Sequence, residues 1–271
     1  MVARIIPNPL KRIALTMLVL GVGATQASAS IEAGTAAIAK YEEIQRDLAK
    51  VPTGLSHPTP NDLAPAHKAA EEALDSAEVA FRQAFKEDLS EVAALGLVNT
   101  LRLKGDEDLA AEVAEEALNE GIESAVLSRE YGACLLRIGP KHTQEGIDAL
   151  YQSLAWDDSS ADAVGTWNEL GTFYLRDAMP QSAKDSFEAV LVLDAQDVRA
   201  RLGRLVVSVY DGDIADAGAR LAAVGKDAQP FDTQLRRELR SALADFDDHR
   251  RTFADTAENH FAYARLLYSA A

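Results

Sequence analysis

Cysteine is nearly missing. Cys134 stands alone among 271 residues, so the chain forms no internal disulfide and no multi-thiolate metal site. Aromatic residues make up only 6% of the chain while alanine is abundant, a balance that favours helices over sheets. The five histidines (His57, His67, His142, His249 and His260) are scattered, with no His-Glu-x-x-His and no pair four residues apart. No glycine-rich loop follows a strand-like run, and there is no Gly-x-Ser-x-Gly elbow. Positive charge is scarce as well, with 27 Lys and Arg against 43 Asp and Glu for a formal charge of -16. A non-specific nucleic-acid binder needs a basic surface to displace counterions, so the charge argues against that class and no nucleic-acid partner is expected. No catalytic residue, cofactor or metal is expected, and the chain reads as a non-enzyme.

The N-terminus has a pattern of its own. Arg4, Lys11 and Arg12 form a basic start without an acidic residue, and Ile13–Ala24 is an apolar run ending in small residues. Ala27, Ser28 and Ala29 then fit the small-x-small cleavage pattern, so residues 1–29 read as a secretory signal peptide cut after Ala29. The run is short of the ~20 apolar residues that span a bilayer. Cleavage would remove three positive charges and no negative one, leaving an acidic chain with no inserted membrane segment, expected in the periplasm or secreted.

Residues 31–50 read as a short amphipathic helix. Residues 51–65 hold four of the nine prolines and read as an extended linker, making 30–65 an N-terminal helix and hinge. From Ala66 onward only Pro140, Pro180 and Pro230 interrupt the chain. Apolar residues there recur at helical spacing, and no run alternates with period two. The fold class is all-α. Residues 66–88 form a longer helix, with Ala70, Leu74, Ala77, Phe81, Ala84 and Phe85 on one stripe.

Self-similarity begins after that helix. Trp167, Leu170, Gly171 and Tyr174, followed by Ala183 and Phe187, carry the W-x2-L-G-x2-Y … A-x3-F pattern at its expected intervals. On these residues the chain resembles the tetratricopeptide repeat family, with Val190 and Ala195 departing from the usual alanine and proline. The neighbours copy the pattern less strictly. Ala217 and Leu221 stand where Ala183 and Phe187 stood, with Leu205 in the glycine place and a turn at Asp211, Gly212 and Asp213. Tyr131 and Gly132 precede a turn at Gly139 and Pro140, then Gly146 and Leu150. Leu95 and Gly96 precede a turn at Lys104, Gly105 and Asp106, then Ala110, Ala114 and Ala117. In these two earlier repeats the interval from glycine to the small residue of the second helix is two residues longer, which predicts a longer turn. The repeats are expected at about 88–124, 125–163, 164–197 and 198–231, with a weak helical cap at 232–271. The resemblance implies a right-handed α-solenoid over residues 66–271.

It also implies a concave surface lined by the first helix of each repeat, where proteins of this family hold peptides or protein segments. The groove positions carried over are Ser90, Ala93, Leu97 and Thr100; Arg129, Ala133, Leu136 and Arg137; Asn168, Thr172, Leu175 and Arg176; and Arg199, Leu202, Val206, Val209 and Tyr210. Arg129, Arg137, Asn168, Thr172, Arg176, Arg199 and Tyr210 are the candidate ligand contacts. The arginines would form a basic track for a segment with acidic residues; the plainer alternative is that they balance Glu130 and Glu169. The family's carboxylate-clamp places hold Ala94, Glu130, Glu169 and Gly203, so that ligand class is disfavoured. The expected function is an exported adaptor or scaffold holding a protein or peptide segment in cell-envelope or secretion-related assembly. One alternative is a self-associating structural protein, a homo-oligomer covering the Leu74/Phe81 stripe and the final helix. Another is the helical arm of a cell-wall hydrolase, since Glu123 and Ser124 resemble the acid-containing motif of lytic transglycosylases.

Overall fold

The computed structural model describes residues 26–49, 60–158, 161–224, 233–248 and 257–270, and among them every regular element is helical. The helices are α1 (Gln26–Ala49), α2 (Pro60–Glu87), α3 (Glu91–Lys104), α4 (Glu107–Asn119), α5 (Ala125–Ile138), α6 (Thr143–Trp156), α7 (Ala161–Arg176), α8 (Pro180–Leu193), α9 (Val198–Tyr210), α10 (Ile214–Val224), α11 (Thr233–Asp248) and α12 (Ala257–Ala270), with a 3-10 turn at Pro140–His142. Most of the leader, residues 1–25, lies outside the described residues, as do linker residues 50–59 and Pro230. The expected linker is shorter than its prolines suggest, because α2 already begins at Pro60. Proline at a first helical position gives up an N–H that would have no partner there, and its fixed φ suits the helix. Pro65 lies further inside α2.

The ends of the helices are set locally. Ser90, Ser124 and Asp197 accept hydrogen bonds from the backbone N–H of Ala93 (3.4 Å), Leu127 (3.1 Å) and Ala200 (2.7 Å), each satisfying a donor that the first turn leaves open. At the other end Gly105, Ala178 and Gly212 take left-handed backbone conformations, with φ of 84°, 54° and 80°. The next residue in each case, Asp106, Met179 or Asp213, donates its N–H to the carbonyl of Leu101 (2.9 Å), Tyr174 (2.8 Å) or Ser208 (2.9 Å).

These shared turns establish the register. Leu101, Tyr174 and Ser208 are equivalent, so Gly96 corresponds to Gly203 and not to Gly171. The longer interval in the repeat at 88–124 is therefore a shift of register, and its turn is only Gly105 and Asp106. In the next repeat the turn is indeed longer, holding Gly139 and the 3-10 residues.

The chain divides into two compact units, Met1–Ala149 and Leu150–Ala271. In the first, the buried ring of Phe81 on α2 lies between the backbones of α1 and α3. A Cβ on Gly34 would come within 2.7 Å of that ring, and one on Gly96 within 2.3 Å. In the second unit, Phe187 on α8 lies between α7 and α9. There a Cβ on Gly171 would come within 2.7 Å and one on Gly203 within 2.3 Å. The match makes α1 and α2 a further repeat that the sequence reading passed over, with Ala77, Phe81 and Ala84 in the places of Ala183, Phe187 and Val190. It also corrects the expectation that the Leu74/Phe81 stripe awaits a second copy, because both side chains are buried within their own unit.

The second unit closes differently from its own repeats. α12 lies along α10, where a Cβ on Gly218 would come within 2.5 Å of the Ala262 Cβ. α11 packs along α9 and reaches α7.

Gly203→Ala should lower stability by about 1–3 kcal/mol, since the Phe187 ring has to move aside. Gly105→Ala, where no atom lies within 4 Å, should cost only the left-handed backbone preference, roughly 1 kcal/mol. Urea unfolding followed by helical circular dichroism checks both, and equal losses would contradict the close-approach argument.

Candidate functional site

In the first unit the face of α3 and α5 carries an alternating run of charges. Arg129 donates to Glu130 Oε1 from Nη2 at 2.9 Å and from Nε at 3.2 Å. Glu130, only 7% exposed, also pairs with Arg102 of α3. Arg102 lies 3.8 Å from Glu107 at the start of α4, and Glu107 lies 3.9 Å from Arg137. Arg129 and Arg137 therefore each stand against a carboxylate. These pairs are partly buried around Glu130, where desolvation offsets much of the attraction between the charges.

Cys134 is fully buried beside this run. Burial is the main cause that pushes its thiol up to about 12, with the Glu107 charge adding to the effect and Arg102 opposing it. Ala93, Leu97 and Thr100 of α3 are buried, and Thr100 donates its hydroxyl to the Gly96 carbonyl at 2.7 Å. The two-residue shift of register accounts for their inward placement.

In the second unit Asn168 of α7 donates from Nδ2 to Asp197 Oδ1 at 3.3 Å, the same oxygen that caps α9. The other side of that amide, Oδ1, is buried without a hydrogen-bond partner. Thr172 is 1% exposed and gives its hydroxyl to the Asn168 carbonyl at 2.7 Å. Arg199 donates to Glu169 Oε1 at 3.3 Å, so this arginine too has a carboxylate beside it. Arg176 is exposed, its guanidinium 5.3 Å from the centre of the Phe173 ring. Tyr210 is half-buried at the end of α9.

The apolar groove positions of this unit are covered. Leu175, Leu202, Val206 and Val209 belong to one buried cluster with Leu235, Leu239, Ala242 and Leu243 of α11. Glu238, on the same helix, is itself buried, and burial holds its carboxyl above the usual range while Arg176 and Arg237 draw it back. The helical cap expected at 232–271 includes α11, and its place on this face is decided by the structure. The signal was present, since Leu235, Leu239, Ala242 and Leu243 recur at the spacing of a single helical stripe.

Glu123 is exposed in the turn before α5. Its neighbour Ser124 is committed to capping Leu127 and to a 2.5 Å hydrogen bond with Glu91 Oε1. Among the described residues no group of His, Cys, Asp and Glu side chains is placed to hold a metal ion, and no helix is long and apolar enough to cross a membrane.

No protein-family model matches the chain, and no curated protein matches it. Its similarity is to solved structures. PilF of Pseudomonas aeruginosa superposes with a TM-score of 0.51 at 18% identity, over 85% of this chain and 99% of that one. A tetratricopeptide repeat protein from Parabacteroides merdae gives 0.49 at 15% identity, over 85% and 87%. One from Thermus thermophilus gives 0.48 at 19% identity, over 67% and 96%. The likeness to PilF bears on the fold alone, which is the helix-pair repeat expected from the residues around Trp167.

Two outcomes follow from the first unit. Cys134 should not react with Ellman's reagent at pH 8 in the native protein and should titrate fully once urea unfolds it. Rapid native labelling would contradict its burial. Glu130→Ala, which leaves Arg102 and Arg129 without their shared carboxylate, should cost roughly 3 kcal/mol in urea unfolding. Glu130→Gln should cost less, because the amide retains an acceptor.

Proposed function

From a chain built as a tetratricopeptide-repeat protein, we propose a non-catalytic, exported adaptor that holds a protein or peptide segment against the first-helix faces of its repeats, in cell-envelope or secretion-related assembly. The observation that carries the reading is Asn168. Its amide is oriented by Asp197, and Oδ1 is left buried with no donor. A buried acceptor without a partner is costly, and a backbone N–H of a bound segment would satisfy it. Thr172, bonded to the same residue's carbonyl, braces that turn of α7. The exposed Arg176 suits an acidic side chain of the ligand because its planar fork can make paired hydrogen bonds to a carboxylate. Arg199, beside Glu169, frames the same face. Export rests on the basic start, the apolar run and the Ala27-Ser28-Ala29 pattern. Cleavage there would trim α1 by its first four residues.

Expressed with its own N-terminus in a Gram-negative host, the protein should be recovered from the periplasm with Ser30 as its first residue. Ala29→Asp should leave the precursor uncut. Recovery of the uncut wild-type chain from the cytoplasm would overturn the export reading. The mature protein crosslinked to envelope extract should capture a partner that both Asn168→Ala and Arg176→Glu lose while keeping their helical circular dichroism. Capture that is unchanged in both variants would place binding away from this face.

A further inference from the structure

At three steps along the chain, the helix that opens a repeat docks on the second helix of the repeat before it: α3 on α2, α5 on α4, α9 on α8. The step after α10 breaks the rule. α10 receives α12, and α11 lies instead along α9 and touches α7, over the face where Leu175, Leu202, Val206 and Val209 line up. Its seam of Leu235, Leu239, Ala242 and Leu243 is buried there, and the buried Glu238 of that seam lies within the field of the Arg176 charge. A second helix of this design, with leucines four residues apart and an acidic residue between them, would meet the same apolar positions and the same arginine. α12 packs chiefly on α10, through Gly218 and Ala262, and more lightly on α11, so its main seat remains when α11 leaves.

We propose that the first-helix face of the second unit is a binding surface for an amphipathic helix, that α11 is its resident occupant, and that the external ligand is a helix of the same kind which exchanges with α11. This rests on the adaptor reading and specifies the form of its ligand. The resident helix lowers the apparent affinity for a ligand by the fraction of molecules in which the face is open. Substitutions that loosen α11 should therefore raise affinity, the reverse of what damage to a binding face does.

The test uses the full mature chain and a fluorescein-labelled synthetic peptide of residues 233–248 as the probe, read by fluorescence anisotropy. Leu239→Asp in the protein should undock α11 and tighten binding of the native-sequence peptide at least tenfold over the wild-type protein. A peptide carrying Leu239→Asp itself should not bind. A milder variant, Leu235→Ala/Leu243→Ala, should shift affinity in the same direction and decides the matter if Leu239→Asp fails to fold. Equal binding to wild type and variants, or none to folded variants, overturns the proposal, as does collapse of the fold in both. If exchange fails while the envelope partner is still captured in a manner dependent on Asn168 and Arg176, the adaptor reading survives without it. If exchange succeeds and no partner is captured, α11 is an exchangeable helix and the adaptor reading falls.

Discussion

Within each unit the packing depends on one contact, a phenylalanine ring held between two glycine backbones. Phe81 against Gly34 and Gly96, and Phe187 against Gly171 and Gly203, give the same two close approaches. A methyl group at any of the four glycines would occupy space that the ring already fills, so the distance between helices is set by the absence of a side chain. Everything else in a repeat is arranged around that distance. The small residues Ala77 and Ala183 lie one turn before the ring, and the left-handed turns at Gly105, Ala178 and Gly212 return the chain after its first helix.

The charges tell a second story about the same faces. A chain with so large an excess of acid uses its arginines sparingly, and those on the first-helix faces stand beside carboxylates. In the first unit Arg102, Arg129 and Arg137 alternate with Glu107 and Glu130. In the second, Arg199 is beside Glu169, while Arg176 lies over Phe173 and its charge draws the carboxyl of the buried Glu238 of α11 back down. The first face is thus polar and internally balanced, whereas the second is apolar and covered by a helix. Under the adaptor reading they are unlike surfaces, and the second is the one whose chemistry suits a helical ligand.

Residues close together in sequence made part of this legible before any coordinates. Trp167, Leu170, Gly171, Tyr174, Ala183 and Phe187 announce a helix pair because they recur at helical spacing on either side of one tight bend. The turns at Gly105 and Gly212 could be read for the same reason, since glycine at a helix end is a local signal. The missed repeat shows the limit. α1 lacks the large aromatic residues of the pattern, and its partner α2 begins only after the proline-rich segment, so Gly34 and Phe81 meet across a separation that periodicity does not reach.

By itself, then, the sequence determined the all-helical class and the turns at Gly105, Gly139 and Gly212, because these follow from side-chain spacing and backbone preference over short stretches. Only the tertiary structure decided the register of α3, the membership of α1 and α2 in the repeats, and the place of α11. A shift of two residues leaves a helix equally amphipathic, so register is resolved by the hydrogen-bonded turns and by Gly96 meeting Phe81. A leucine stripe such as that of α11 states that a face must be buried, but not against what. The apolar surface of α9 was equally undecided until the two met.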